Sequence, residues 1–279
     1  MTVVSTVQSS LVQIEGAVCV VTGGANGIGR SLAQELARRG AKLVVADIDV
    51  EHASLLAERI GGTAIECDVS DPASIESLVA STVREHGRID VFCSNAGYSD
   101  PLTFDLSLPF ADLERLTRVN LLSHVVAAKA VLPGMVANGG GYLLQTLSSA
   151  ALLAGPATAA YTLTKSGALG FAEWVAVTYA AQGIRVSCLC PNAVYTGMFG
   201  RPKDLDAPVE LPAGAGDVVG DVLLPEDVAA QTVDAMQGAE PFLILPHPRV
   251  GESFRRKADD YDAWIIRTAE RVDRMRERM

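Results

Sequence analysis

A β-branched run, Ala17–Thr22 (AVCVVT), passes straight into a glycine turn, Gly23–Gly29, and then into a stretch with helical apolar spacing, Ser31–Arg39, that stops at Gly40. A strand that feeds a helix can rejoin its own sheet only by a crossover, so its neighbours run parallel to it. The rhythm repeats down the chain. Strand Lys42–Ala46 precedes a helix to about Ile60, and strand Thr63–Cys67 precedes a helix over Ala73–His86 opened by Asp71-Pro72. Strand Ile89–Cys93 ends at Asn95-Ala96-Gly97 and leads to a long helix over about Pro109–Ala137. After the turn at Asn138–Gly141 come a strand over 142–147, a helix reaching about Gln182 and a strand over Arg185–Cys190. A helix beginning near Pro225 and a short strand, Phe242–Leu245, complete the series. Strict alternation predicts an α/β fold with a doubly wound parallel sheet, one domain spanning residues 1–251.

Two segments break the pattern. Residues 196–222 are rich in Gly, Pro and Asp and carry no period, which predicts a lid-like insertion. From Glu252 to Met279 the spacing predicts a helical C-terminal extension with Phe254, Ala258, Tyr261, Ile265, Val272, Met275 and Met279 on one stripe. Such a stripe fits either a helix packed on its own subunit or a contact between subunits.

The whole chain has 279 residues, 49% hydrophobic and 20% charged, enough for a large apolar core. A net charge of −10 argues against nucleic acid or an anionic membrane surface as partners. No apolar run approaches the ~18 residues of a spanning helix, and the N-terminus lacks a basic region followed by an apolar one. A cytoplasmic protein is expected. Cysteines 19, 67, 93, 188 and 190 all fall in strand-like runs, which suits a reducing compartment. Cys188-Leu-Cys190 would place two thiols on one strand face, but no His or second Cys pair stands near them, so no metal is expected.

The stretch from Ser148 to Lys165 carries the chemistry. Tyr161 and Lys165 stand four apart in a helical run, on one face, and Ser148 lies thirteen residues before the Tyr at the end of a strand. A free phenol has a pKa of ~10, too high for a base at neutral pH. A cation ~4 Å away at an effective dielectric near 20 stabilises a phenolate by ~4 kcal/mol, about three pK units before desolvation opposes it. The trio therefore reads as an acid–base site for moving a proton on or off a carbinol oxygen, with Ser148 bonding that oxygen.

The glycine turn supplies the other half. Gly23, Gly27 and Gly29, with Asn26 and Ile28 among them, follow a strand and open a helix, the context of a pyrophosphate-binding turn. Asp47, eighteen residues after Gly29 at the end of the second strand, can accept hydrogen bonds from both hydroxyls of an adenosine ribose. A carboxylate there would repel a 2′-phosphate, and no Arg follows it, so NAD is favoured over NADP. Asp68 fits a contact to the adenine amino group, with Val69 against the ring, or else a helix-entry cap. Asn95, Ala96 and Gly97 suit a sheet edge that a dinucleotide passes closely. His52, His86, His124 and His247 have no partner in this set and read as structural.

The ordered set resembles the classical short-chain dehydrogenase/reductase family over roughly residues 12–250. It comprises Thr22, Gly23, Gly27 and Gly29, the Asn95–Gly97 triplet, Asn120, Ser148, and Tyr161 with Lys165. The resemblance implies a Rossmann fold, with Asn120, Ser148, Tyr161 and Lys165 as catalytic residues. It implies that Asn120 bends its helix and holds a water linking Lys165 to solvent, and that Lys165 also binds the nicotinamide ribose. The Val194 main chain and Thr196 hydroxyl, after Pro191, would hold the nicotinamide carboxamide, and a homotetramer or homodimer would form through the helices at 109–137 and 156–182. One departure is Asn192, where the family has Gly after Pro; Asn tolerates a left-handed conformation best among non-glycine residues.

Tyr98, Leu152, Leu153, Tyr195, Met198, Phe199 and the lid are candidate pocket residues, mostly apolar apart from Arg201 and Lys203. They suit a hydrophobic secondary alcohol or ketone rather than a phosphorylated one. The leading reading is thus an NAD-dependent oxidoreductase of CH–OH groups. Its alternatives are an NADPH-dependent carbonyl reductase and a non-catalytic dinucleotide-binding regulator.

Overall fold

Strand β1, Val18–Thr22, is buried at all five residues, because helices cover the sheet on both sides. A computed structural model describes residues 12–101, 103–155, 158–197, 221–238 and 241–277. The remaining strands are β2 (Lys42–Asp47), β3 (Thr63–Glu66), β4 (Val91–Ser94), β5 (Gly141–Thr146), β6 (Ile184–Leu189) and β7 (Leu243–Ile244). They form one parallel sheet in the order β3-β2-β1-β4-β5-β6-β7, with Val20 opposite Val44 and Phe92. Alternate side chains point to opposite faces. Val20, Val44, Phe92 and Leu143 enter one core, while Val21, Val45, Val91 and Leu144 enter the other.

The first core is closed by α3 (Pro72–His86), α5 (Ser123–Ala137) and α7 (Ala159–Tyr179). The second is closed by α1 (Gly27–Arg38), α2 (Val50–Ile60) and α8 (Pro225–Gln237). The order reverses between β1 and β4, which opens a crevice at the carboxyl ends of those strands. Local chemistry sets the helix ends. The Asp49 and Asp71 carboxylates accept amide hydrogens from His52 and Ala73 as N-caps, and Gly61 and Gly87 close α2 and α3 in left-handed conformations, as expected of C-cap glycines.

Three elements differ from the sequence reading. The long helix of 109–137 is α4 (Phe110–Thr117) and α5 joined by a five-residue π segment, Arg118–Leu122. Counted whole, Phe110–Ala137 is a run of 28 residues with a mean hydropathy of 1.5 in its most apolar window, long and apolar enough to cross a membrane by length and composition alone. Here it lies against the sheet, with Ala127, Val131 and Met135 in the core. Residues after Ser148, read as loop, form a short helix, α6 (Ser149–Leu153). The C-terminal extension is two helices, α9 (Pro248–Asp259) and α10 (Tyr261–Arg276).

The break between α9 and α10 resets the phase of the apolar stripe. Asp260 is extended and caps α10 by accepting the Ala263 amide hydrogen. Ala258, Tyr261 and Ile265 consequently face solvent, while Trp264, Thr268, Val272 and Met275 are half-buried. Two cations tie this extension down. Lys257 donates to the Leu152 carbonyl at 2.7 Å and lies over the Trp264 ring, and Arg276 donates to the Phe104 carbonyl at 3.3 Å.

Candidate active site

The carboxyl ends of β1, β2, β4 and β5 surround one cleft of about 450 Å³. At one end β1 delivers the glycine turn. Gly23 has φ +64, and a Cβ there would stand 2.8 Å from Ala96 Cα. One on Gly29 would stand 2.1 Å from the Gly23 carbonyl oxygen, so α1 meets the sheet more closely than any side chain allows. Asn95 stitches the turn to β4, its side-chain amide donating to the Thr22 and Gly23 carbonyls at 3.0 and 3.3 Å. The Thr22 hydroxyl in turn donates to the Cys93 carbonyl and accepts the Asn95 amide hydrogen.

Asp47, at the tip of β2, has a structural use absent from the sequence reading. One carboxylate oxygen accepts the Ala25 amide hydrogen at 2.9 Å and the other accepts that of Asp49 at 2.9 Å. It pins the glycine turn while still lining the cleft. Two carboxylate oxygens offer about four acceptor sites, so capacity remains for a ligand's hydroxyls. Asp68 accepts the Ser70 amide hydrogen at 2.8 Å and lines the cleft beside Val69; the helix cap proper is Asp71.

The other end holds the acid–base set. Ser148 is the N-cap of α6, its hydroxyl accepting the Ala150 amide hydrogen at 3.1 Å. Tyr161 and Lys165, one turn apart on α7, line the same cleft. Lys165 is 2% exposed, donates to the Thr146 carbonyl at 2.9 Å and lies 5.7 Å from the centre of the Tyr161 ring. The electrostatics differ from the sequence expectation. Burial pushes the Tyr161 phenol above its ordinary value, with the Ser148 side chain pulling it down, and burial lowers the Lys165 ammonium to about 8. Desolvation of the buried phenol outweighs the hydrogen bond with Ser148, while Cys190 and Asp100 push the phenol further up.

Asn120 sits in the π segment, fully buried, and does not line the cleft. Its amide donates to the Tyr98 carbonyl at 2.7 Å and its oxygen accepts the Tyr98 amide hydrogen at 3.1 Å. The side chain is thus spent on holding the segment after Gly97. The bend implied by the resemblance is present as the π bulge. Gly97 is required there, since a Cβ would stand 3.0 Å from the Asn120 oxygen and 3.4 Å from Lys165 Nζ.

Pro191, Val194 and Thr196 line the cleft after β6, and Thr196 faces Gly27 across it. Asn192 is not left-handed: Ala154, at φ 53, is the only non-glycine residue with positive φ among the described residues. Its departure from glycine is instead used for bonding, its side-chain oxygen accepting from the Ser149 hydroxyl at 3.1 Å.

The cleft therefore gathers Gly23, Asn26, Gly27, Ile28, Asp47, Asp68, Val69, Asn95, Ala96, Gly97, Ser148, Tyr161, Lys165, Pro191, Val194 and Thr196, with Gly29 beneath the turn. Of the candidate pocket residues Tyr98 lines it. Leu152 is instead buried in the core and Leu153 packs against it, because α6 turns these residues inward. Tyr195 is half-buried and bonded through its amide to the Leu223 carbonyl. Most of the 196–222 lid, including Met198, Phe199, Arg201 and Lys203, lies outside the described residues. Arg115 and Ile48 also line the cleft and were missed. An Arg on an amphipathic helix and an exposed Ile after a strand carry no signal of their own, though Arg115 stands 5.8 Å over the Tyr98 ring.

Comparison with known proteins matches residues 17–205 to the family described as short chain dehydrogenase. The chain is 34% identical over 218 residues to a mitochondrial borneol dehydrogenase of Lavandula x intermedia, covering 78% of this chain and 82% of the relative. It is 34% identical over 249 residues to 1-deoxy-11-beta-hydroxypentalenate dehydrogenase of Streptomyces exfoliatus, covering 86% of each. A short chain dehydrogenase/reductase of Burkholderia phymatum in complex with NAD superposes with a TM-score of 0.79 at 25% identity, covering 91% of this chain and 96% of the other.

Proposed function

Because the chain belongs to the short-chain dehydrogenase/reductase family, and so is an oxidoreductase, we propose that it transfers hydride between NAD(H) and a hydrophobic secondary alcohol or ketone. The observation that carries this reading is the convergence of Ser148, Tyr161 and Lys165 at one end of a cleft whose other end is the glycine turn and Asp47. Hydride acceptance and donation is the chemistry a bound nicotinamide supplies.

The residues fit such a group. The turn's glycines leave room for a pyrophosphate at the start of α1, and the Asp47 carboxylate suits the ribose of NAD over a 2′-phosphate. Ile48 and Val69 offer apolar walls for an adenine. At the reacting end Tyr161 takes the carbinol proton during oxidation and returns it during ketone reduction. Ser148 donates to the same oxygen as alkoxide character develops. Lys165 holds positive charge beneath the phenol and offsets the burial that keeps Tyr161 protonated. Asn120 keeps residues 97 and 98 from closing on Lys165.

The substrate class rests on the mainly apolar candidate pocket and on relatives named for dehydrogenation of borneol and of a hydroxypentalenate. A homotetramer, or a homodimer, in a reducing cytoplasm completes the reading. Leu163, Trp174 and Val177 leave an exposed apolar stripe on α7, and Leu122 of the π segment is exposed as well, apolar surface of the kind a face between copies of the chain requires. The test is a screen of secondary alcohols with NAD, followed by the appearance of reduced nicotinamide, alongside Tyr161→Phe. Turnover by the wild type and none by Y161F, with NADH still bound, is the expected result; unchanged turnover in Y161F would remove the phenol from the mechanism.

A further inference from the structure

Residues 191–196 cross the cleft from the neighbourhood of Ser148 to the glycine turn, and a side chain from beyond β7 holds them from behind. The Asn192 amide hydrogen is donated to Nδ1 of His247 at 3.1 Å. Nε2 of the same ring lies 3.1 Å from the carbonyl oxygen of Ala193. An amide N–H only donates and a carbonyl only accepts, so both contacts exist together in one form of the ring, the neutral tautomer with Nδ1 bare and Nε2 protonated. The ring is 5% exposed, and its own carbonyl accepts the Val250 amide hydrogen, which fixes it to the first turn of α9. Asp221 is the charged neighbour that acts on the ring, and Arg249 lies 4.0 Å from that carboxylate.

The opposite side of the loop is fastened to the residue after Ser148. The Ser149 amide donates to the Pro191 carbonyl at 2.7 Å and its hydroxyl donates to the Asn192 side chain. Leu223 bridges the far part of the loop, donating its amide to the Ala193 carbonyl at 3.1 Å and accepting that of Tyr195 at 2.9 Å, so the imidazole and this bridge together set the direction in which Val194 and Thr196 meet the cleft.

We propose that His247 is a positioning residue for the cofactor: as its neutral Nε2–H tautomer it fixes residues 192–193 and thereby aims the Val194 main chain and Thr196 at the nicotinamide end of the bound dinucleotide. This rests on the reading of the cleft as an NAD site. It gives a use to a histidine that the sequence leaves structural. His247 touches no substrate; it acts through the loop.

The experiment compares wild type, His247→Gln and His247→Leu by NADH fluorescence titration, by steady-state KM for NAD against kcat, and by the imidazole ¹⁵N shifts of the wild type. A glutamine side chain supplies both a donor and an acceptor, whereas leucine supplies neither. H247L is expected to weaken NADH binding and raise the KM for NAD by about tenfold with little change in kcat, the loss of roughly one buried hydrogen bond. H247Q is expected to recover most of that loss. Equal NADH affinity in H247L and wild type, or H247Q as weak as H247L, would overturn the proposal. Should H247L fail to fold, the wild-type spectrum decides: a bare Nδ1 with a protonated Nε2 at neutral pH supports it, and the opposite tautomer or an imidazolium overturns it. Wild type that binds no NADH would bring down the cofactor reading and this proposal together, whereas binding by wild type and H247L alike would bring down this proposal alone.

Discussion

Replacing Asp47 by Ala separates two roles that one carboxylate combines. In the protein without ligand the change removes the acceptor for the Ala25 and Asp49 amide hydrogens, both at 2.9 Å and both partly buried. Hydrogen bonds to a charged group contribute about 1.5–3 kcal/mol each, but solvent reaches this carboxylate and water replaces part of the loss. A net cost of about 1–3 kcal/mol is expected, or a fall in melting temperature of about 2–10 °C for a chain of this size. The glycine turn keeps its other anchors, the Gly24 amide on the Ala46 carbonyl at 3.2 Å and the Asn95 amide on Gly23, so the fold survives. In the complex the change removes the acceptor for the ribose hydroxyls, which weakens NADH by about 10- to 100-fold at 1.4 kcal/mol per decade. NADPH has only its 3′-hydroxyl bond to lose and escapes the repulsion of its 2′-phosphate, so its affinity holds and the preference for NADH collapses. Asp47→Asn, which retains one oxygen for Ala25, is expected to keep most of the stability but not the preference. The assays are thermal unfolding without ligand and fluorescence titration with each reduced cofactor. An unchanged melting temperature in D47A would refute the pinning of the turn, and an unchanged ratio of NADH to NADPH affinity would refute the ribose contact.

Burial lowers Lys165 to about 8 from an ordinary value of 10.5, so the unfolded chain binds more protons than the folded one between those values. The contribution of Lys165 to the stability of the ligand-free protein is therefore expected to grow with pH across that window, opposed from about pH 9 by the buried thiols, whose values burial raises. The melting temperature of Lys165→Met relative to wild type should accordingly fall as pH rises from 8 to 10.5. Gly97→Ala puts a methyl 3.0 Å from the Asn120 oxygen and 3.4 Å from Lys165 Nζ. It is expected to lower kcat by at least tenfold while circular dichroism is unchanged; wild-type kcat would show that the close approach has no bearing on the amine. Ala154→Gly replaces the one non-glycine residue at positive φ among those described. Relief of backbone strain outweighs the added freedom of glycine, so melting temperature is expected to rise by about 1–4 °C, and a fall would refute the strain.

The residues that converge on the cleft were legible because the chemistry proposed for them imposes spacing. Gly23 to Gly29 must follow a strand, Asp47 must end the next one, and Tyr161 and Lys165 must share a helical face, so pattern alone places them. What could not be read are pairings between distant segments. The Asn120 side chain spends itself on the Tyr98 backbone 22 residues away, and His247 on residues 54 and 55 positions before it. The π segment is a change in backbone bonding that leaves no mark on apolar spacing. The break in the extension was hidden for a different reason: a capping Asp260 divides it into two helices, and apolar periodicity does not register a phase break. At Tyr161 the sequence supplies the sign of the cation's pull and names desolvation as its opponent, but the size of the opposing effect depends on burial, which spacing does not carry.

Lys257 and Arg276 fasten the final helices to Leu152, four residues past Ser148, and to Phe104, between the cleft residues Tyr98 and Arg115. These two helices thus brace together two segments far apart in sequence, each adjoining residues of the cleft, so whatever displaces them would loosen both flanks at once.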